Sequence, residues 1–170
     1  MLEYIILDNI EDTPVESIDN VLNVNLKGTL FLLKTILPNM RQNKFGTIVL
    51  MGSDQCFIGK GESSIYGATK GAIGQLTKST AIDYAKFNIR VNCICPGTID
   101  TPLVHNLFNV LNKRSEDNEN IAYEQFYSNQ LIKRLGTPEE IAQAVLFMSS
   151  KESSFMTGTL LPVDGGYTAQ

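Results

Sequence analysis

The sequence has only three cysteines, one histidine and no tryptophan, and these shortages limit the chemistry that the chain can carry. A small, odd number of cysteines does not form a complete disulfide framework, which favours a reducing, cytoplasmic compartment. Cys93 and Cys95 are two residues apart, so they would share one face of a strand, where we interpret them as small buried hydrophobic side chains. Because His105 is the only histidine and no second cysteine pair is present, we predict no metal site.

Long apolar runs and basic clusters are missing as well. No segment reaches the roughly 20 apolar residues of a membrane span, and the first residues lack the basic start and the apolar length of a signal peptide. A net charge of −4 without a basic patch argues against a nucleic-acid or anionic-membrane partner. The content of 43% hydrophobic and 19% charged residues is ordinary for a soluble protein, and we expect residues 1–170 to form a single domain.

Helix and strand patterns alternate along the chain. Apolar side chains recur every three or four residues over 17–42, which predicts a helix with Ser17 as its N-cap and a kink near Pro38. An uninterrupted apolar run follows over 47–51 and is typical of a strand buried on both faces of a parallel sheet. A second helix is predicted from 64 or 65 to 86, with Asn88 placed to end it.

The second half of the chain continues this alternation. Thr137, Pro138 and Glu140 form the signature of a capping box with the preferred proline, so a helix should begin there and end near Ser149. Strands joined by helices imply parallel pairing, and we therefore expect an α/β layer fold. The remaining predicted elements are a strand over 89–95, an irregular polar stretch over 101–135 and a last strand over 159–163.

Tyr66 and Lys70 carry the clearest chemical signal. They are four residues apart at the start of a predicted helix, so both side chains project from one face. A phenol has a pKa of about 10, and a neighbouring ammonium together with the helix N-terminus would lower the pKa of Tyr66 toward the range that a proton donor and acceptor needs. Ser53 follows the apolar strand, where ligand sites of open parallel sheets form, and could hydrogen-bond a substrate carbonyl. Taken singly, these residues could equally be a helix-surface tyrosine and a serine that ends a strand.

Further motifs accompany this pair in a fixed order. From about residue 14 to the C-terminus, their combination resembles the short-chain dehydrogenase/reductase family. The resemblance implies a Rossmann-like, doubly wound parallel sheet in three α/β/α layers. It also implies a reaction that interconverts a secondary alcohol and a carbonyl on a small substrate with NAD or NADP. The motifs are Asn23–Gly28 (NVNLKG), Gly46–Val49 (GTIV) ahead of Ser53, Tyr66–Ala72 (YGATKGA), Ile89–Asn92 (IRVN), Cys95–Pro102 (CPGTIDTP), Thr157-Gly158 and Asp164-Gly165-Gly166.

The same resemblance implies a role for each matching residue. Tyr66 would be the general acid and base, and Lys70 would lower its pKa and hydrogen-bond the nicotinamide ribose. Ser53 would orient the substrate carbonyl or hydroxyl, and Asn25 would hold a water between Lys70 and solvent. The alternative for Asn25 is a mid-helix asparagine that faces solvent. The nicotinamide would be lined by Pro96, Gly97, Ile99 and Thr101, with Thr98 as a weaker candidate.

Residues 102–135 correspond to the variable substrate lid of the family. Thr101, just before it, could act as the N-cap of a following helix as well as line the cofactor. His105 is expected on the surface or in the lid, because the four catalytic residues leave no vacancy for another base. The aromatic residues of the lid either face the substrate or pack the lid down; they are Phe108, Tyr123, Phe126 and Tyr127.

The glycine-rich turn that begins dinucleotide binding in this family has no counterpart here. Gly59-Lys60-Gly61 lacks a third, suitably spaced glycine, and Leu7–Ile10 stands where an Asn-Asn-Ala-Gly element is expected. Without the missing strands, the sheet would expose an open parallel edge. Three explanations are open: a fragment of a longer enzyme, a truncated non-catalytic relative, or a subunit whose partner covers the edge. The two long predicted helices resemble the family's dimer-forming interface, so a homo-oligomer, either a dimer or a tetramer, is expected.

Overall fold

The strands form one parallel sheet. A computed structural model of the chain describes residues 4–114 and 127–170. In these residues β1 (Gly46–Met51), β2 (Ile89–Pro96) and β3 (Leu160–Val163) pair in the order β1-β2-β3. The central strand β2 is almost entirely buried, as a strand between two parallel neighbours requires. The three strand predictions are confirmed, each to within one residue at either end.

The first predicted helix is observed as three consecutive helical segments. These are α1 (Val15–Val21), a π-helical turn (Leu22–Lys27) and α2 (Gly28–Asn43). The prediction of Ser17 as the N-cap is wrong, because Pro14, three residues earlier, occupies the cap position and the helix begins at Val15. The fixed φ of that proline, −60°, already suits the entry into a helix.

The second predicted helix is confirmed as α3 (Ser64–Tyr84). A short 3₁₀ turn follows it, and Asn88 ends the helical stretch with a φ of 57°. α2 and α3 cover one face of the sheet, where Leu33, Leu37 and Ile73 pack with the buried side chains of β1 and β2.

The sequence predicted an irregular stretch over 101–135, and this prediction is wrong for its first part. Pro102–Arg114 form a helix, α4, and Val104 N donates to Thr101 Oγ1 at 3.4 Å, so Thr101 is its N-cap. The polar content of this stretch concealed an apolar stripe at helical spacing, to which Leu107 and Leu111 belong. Within the predicted lid, Tyr123 and Phe126 lie outside the described residues.

A helix on the opposite face completes the layers. α5 (Pro138–Ser149) begins with the predicted capping box, in which Glu140 N donates to Thr137 Oγ1 at 3.3 Å and Thr137 N donates to Glu140 Oε2 at 2.8 Å. Ile141 and Met148 pack against Ile94 of β2. The predicted α/β arrangement, with helices on both faces of a parallel sheet, is therefore confirmed.

β1 borders the sheet. Among residues 4–114 and 127–170, β2 is the one strand paired with it. The chain before α1 lies near the start of α3, where Asp8 forms an isolated parallel bridge with Ser63. In the part of the chain that the structure describes, no helix is both long and apolar enough to cross a membrane.

Candidate active site

The C-terminal ends of β1 and β2 open into a cavity of about 690 Å³. The two strand ends are held together by Gly52 N, which donates to Ile94 O at 2.8 Å. Ligand sites in open parallel sheets form at this edge, because the loops that leave neighbouring strands diverge there. Most of the predicted site residues line the cavity: Ser53, Tyr66, Pro96, Gly97, Thr98, Ile99 and Thr101.

Tyr66 and Lys70 lie side by side on the first two turns of α3. Both side chains are buried, and Lys70 Nζ lies 5.5 Å from the centroid of the Tyr66 ring. Lys70 Nζ also donates to the backbone carbonyl oxygen of Met51 at 3.2 Å, which ties the ammonium to the end of β1. A positive charge held beside a buried phenol favours the phenolate form, the species that can accept a proton.

Ser53 is fixed by its neighbours in the chain. It caps a short 3₁₀ turn (Asp54–Cys56), where Gln55 N donates to Ser53 Oγ at 3.2 Å. Ser53 Oγ donates in turn to Asp54 Oδ1 at 2.8 Å. The hydroxyl proton and one of its two lone pairs are thereby oriented before any substrate binds.

Asp54 and Lys60 extend this network, and sequence reasoning missed both. Lys60 Nζ lies 2.6 Å from Asp54 Oδ2 and 4.8 Å from the centroid of the Tyr167 ring. Asp54 is only 1% exposed, and both residues line the cavity. Nothing in the sequence distinguishes a buried aspartate after a strand from a solvated one. A carboxylate next to Ser53, with a lysine in the same loop, was the one available signal.

Asn25 lies in the π-helical turn and points inward. Its Oδ1 accepts from Tyr4 N at 2.9 Å, and its Nδ2 donates to Tyr4 O at 2.7 Å. The alternative of an asparagine that faces solvent is therefore wrong, because Asn25 is 8% exposed. π-helical turns occur frequently at functional sites, and this one carries the buried Asn25.

The strand end after β2 is held by residues that are distant in sequence. Gln130 Oε1 accepts from Thr98 N at 3.0 Å, and Gln130 is 2% exposed. Gly97 lies against Asp164, and a Cβ at position 97 would come within 2.8 Å of the Asp164 Cα. Sequence reasoning missed Gln130, whose partner is a backbone amide and leaves no side-chain pattern.

The described lid residues do not add a second base. His105 is exposed and outside the cavity lining, with its Nε2 2.6 Å from Asp100 Oδ1. Phe108 is buried, and its ring meets that of His105 edge-on with centroids 6.4 Å apart, so it packs the lid down. The cavity side of α4 is instead apolar, with Leu103, Leu107 and Leu111.

Comparisons with known proteins find relatives that match nearly the whole chain. A family model described as enoyl-(acyl carrier protein) reductase matches residues 4–168. An uncharacterized oxidoreductase of Thermotoga maritima is 37% identical over 161 residues, which cover 95% of this chain and 62% of that protein. The 2-(R)-hydroxypropyl-CoM dehydrogenase of Xanthobacter autotrophicus is 35% identical over 157 residues, covering 92% of this chain and 59% of that one. The chain thus spans about 60% of the length of these curated relatives.

Solved structures show the same likeness. A short chain dehydrogenase family protein from Francisella tularensis is 42% identical with a TM-score of 0.92, over 100% of this chain and 69% of that one. A gluconate 5-dehydrogenase from Burkholderia cenocepacia, in complex with NADP and tartrate, is 25% identical with a TM-score of 0.89, over 99% of this chain and 63% of that one. The sheet and its flanking helices therefore belong to a Rossmann-like fold, as predicted.

Proposed function

Because the chain belongs to the short-chain dehydrogenase/reductase family, we propose that it is the catalytic portion of an oxidoreductase that interconverts a secondary alcohol and a carbonyl on a small substrate. One observation carries the proposal. Tyr66 and Lys70 are buried side by side, and Tyr66 lines a cavity that Ser53 also lines. A proton donor and acceptor, a fixed positive charge and an oriented hydroxyl are the parts that this chemistry needs.

NAD or NADP is the proposed cofactor, and when bound it supplies or accepts the hydride. The cavity suits its nicotinamide half, since apolar Pro96 and Ile99 and the hydroxyl of Thr101 line the same space as Tyr66. Pro96, Gly97, Ile99 and Thr101 would hold the ring, and Lys70 would hydrogen-bond the ribose. The Burkholderia relative in complex with NADP supports this choice of cofactor class.

Tyr66 performs the proton transfer in this proposal. As a phenolate it takes the proton of the substrate hydroxyl during oxidation, and as a phenol it returns that proton to the carbonyl oxygen during reduction. Lys70 stabilises the phenolate through its charge. Ser53 hydrogen-bonds the reacting oxygen and so fixes the position of the carbon beside it.

The substrate is proposed to be a small hydroxy acid or sugar. The segment from Cys95 to Pro102 is similar to family members that act on such molecules. The likeness to a gluconate 5-dehydrogenase and to an aldohexose dehydrogenase from Thermoplasma acidophilum supports the same class.

Assembly into a homo-oligomer is also proposed, because the first helices leave four large apolar side chains exposed in the single chain: Val24, Leu30, Phe31 and Leu32.

The decisive experiment is Tyr66→Phe in protein that turns over a secondary alcohol with NAD or NADP. Loss of the phenol oxygen should lower kcat by about 100- to 10,000-fold. The matched control is Tyr84→Phe, which removes a hydroxyl from the far end of the same helix, outside the cavity lining. A near-normal rate for Tyr66→Phe would refute the assignment.

The alternative proposal is a non-catalytic protein. Two observations favour it: β1 lies at the edge of the described sheet, and the chain spans only 62% of the length of the Thermotoga relative. In that case these 170 residues fold or oligomerise but do not bind the dinucleotide. Titration with NADH and with NADPH, followed by nucleotide fluorescence, separates the two proposals. Saturable micromolar binding would exclude the non-catalytic alternative, and its absence would favour it.

A further inference from the structure

All three cysteines of the chain come together beneath the active-site strand ends. Cys93 and Cys95 lie on one face of β2, as predicted, with their Sγ atoms 3.8 Å apart. Cys56, at the end of the 3₁₀ turn after Ser53, joins them, so that the three Sγ atoms lie within 4.8 Å of one another. The prediction that no metal site exists rested on the single histidine and the lack of a second cysteine pair, and the fold adds Cys56 as a third sulfur.

Gly52 makes this convergence possible. A Cβ at position 52 would lie 2.7 Å from Cys56 Sγ, 2.8 Å from Cys93 Sγ and 3.0 Å from Cys95 Sγ. The three sulfurs therefore crowd around the Cα of Gly52, where a side chain would not fit. Such an arrangement differs from cysteines that are merely scattered through a core as small apolar residues.

The three sulfurs also interact with one another. Hydrogen bonds from the Cys93 and Cys95 thiols lower the pKa of Cys56, and the Lys70 charge acts in the same direction. The hydrogen bond to Cys56 raises the pKa of Cys93 and that of Cys95. Cys56 Sγ also lies 3.1 Å from the carbonyl oxygen of Lys70, to which its thiol donates.

We propose that Cys56, Cys93 and Cys95 form a three-sulfur binding site for a thiolate-seeking divalent metal ion of the Zn²⁺ type. With Zn–S bonds of about 2.3 Å, neighbouring ligands of a tetrahedral ion lie about 3.8 Å apart, which is the separation of Cys93 Sγ and Cys95 Sγ. Cys56 Sγ needs to move by at most about 1 Å to complete the three ligands. A disulfide would need a sulfur separation of about 2 Å, which is further from the observed arrangement.

Charge favours a divalent ion over a monovalent one. Three thiolate ligands and Zn²⁺ together carry one net negative charge. A monovalent ion such as Cu⁺ would leave two negative charges in a site where Cys93 and Cys95 are fully buried. Burying an additional charge is costly, so the divalent ion fits better.

The test is Zn²⁺ binding by the reduced, metal-free 170-residue chain, measured by equilibrium dialysis with metal analysis. We expect one equivalent, with an affinity that rises with pH because the thiol ligands must lose their protons to bind the ion. Co²⁺ should give a sulfur-to-metal charge-transfer band. Substoichiometric binding, or binding whose affinity does not change with pH, would overturn the proposal. The readout is metal binding, so it is independent of the oxidoreductase proposal.

Variants locate the ion. Cys56→Ala should weaken Zn²⁺ binding by at least about 100-fold, since one of three ligands is lost. Cys56 is the partly exposed member of the three, so its truncation leaves the buried face of β2 intact. The matched control is His105→Gln, which removes the imidazole of the exposed His105–Asp100 pair, the rival surface site. Retention by Cys56→Ala, or loss by His105→Gln, would refute the assignment.

One further measurement uses the unaltered chain, so it does not depend on whether a variant folds. Zn²⁺ should protect Cys56 from alkylation by iodoacetamide, read by mass spectrometry of the cysteine-containing peptides. Equal labelling with and without one equivalent of Zn²⁺ would contradict the three-sulfur site.

Discussion

Ser53 Oγ donates a hydrogen bond to Asp54 Oδ1 at 2.8 Å. The other oxygen of that carboxylate accepts from Lys60 Nζ at 2.6 Å. In the proposed reaction the single hydroxyl proton of the alcohol goes to Tyr66, so Ser53 binds the reacting oxygen by donating its own proton to it. Asp54 therefore competes with the substrate for the Ser53 proton.

Asp54→Asn tests this competition. An amide at position 54 holds the Ser53 proton less strongly, because a hydrogen bond to a charged group is worth about 1.5–3 kcal/mol and a neutral one about 1. We expect the KM for the alcohol and the KM for the carbonyl both to fall, by up to about tenfold. Steady-state kinetics in both directions give the two values, with Asp100→Asn as the control at an exposed carboxylate outside the cavity lining. A rise in either KM would contradict the competition between Asp54 and the substrate.

Lys70→Met should lower the rate and move its pH dependence. Removal of the ammonium that lies 5.5 Å from the Tyr66 ring makes the phenolate harder to form. In alcohol oxidation, the pH at which kcat reaches half of its maximum should therefore rise by about 1–3 units. The pH profile of kcat measures this shift. Lys78→Met, at an exposed position on the same helix, should leave the profile unchanged. A variant whose rate falls without any shift would show that Lys70 acts only in binding.

Glu140 should make the start of α5 sensitive to acid. Hydrogen bonds from Arg134 and from the Thr137 backbone lower the pKa of Glu140 to about 2, from an ordinary value of about 4.5. Because the pKa is lower in the folded state, the stabilisation is complete above about 4.5 and is lost as the pH falls toward 2. The melting temperature of the wild-type chain should therefore fall more steeply across this range than that of Glu140→Gln. Glu139→Gln, the neighbouring exposed carboxylate, should keep the wild-type slope; identical slopes for all three chains would rule out the capping contribution.

Gly97→Ala should destabilise the strand end on which the site depends. The added Cβ would lie 2.8 Å from the Asp164 Cα and 2.9 Å from Gln130 Oε1, so backbone must shift, at a cost of about 1–3 kcal/mol. Urea unfolding measures the loss. The matched control is Gly71→Ala in α3, where a Cβ meets nothing within 4 Å and helix propensity should add up to about 1 kcal/mol. Similar stabilities for the two variants would mean that the contact between Gly97 and Asp164 is not tight.

The parts of the fold that the sequence predicted are those specified by local patterns. β1 is an apolar run, Asn88 takes the left-handed turn after α3, and Thr137 with Glu140 forms the capping box of α5. α4 was missed because its apolar stripe is diluted by polar neighbours. The π-helical turn that aims Asn25 inward has no local signature, since it depends on what the helix packs against.

The site follows the same division. Tyr66 and Lys70 were identifiable because a helix fixes the relation between residues four apart. The Asp54–Lys60 pair, the amide of Gln130 and the third sulfur at Cys56 depend on burial or on distant segments, which spacing along the chain does not reveal.

The double hydrogen bond between Asn25 and the Tyr4 backbone fixes more than one residue. Ile5 and Leu7 line the cavity while Ile6, between them, does not, as expected for an extended segment whose side chains alternate in direction. A shift of this segment by one residue would break both bonds to Asn25 and turn Ile6 toward the cavity in place of its neighbours. The side-chain amide of Asn25 thus sets the register of the first described residues, and this register determines which of their side chains line the cavity.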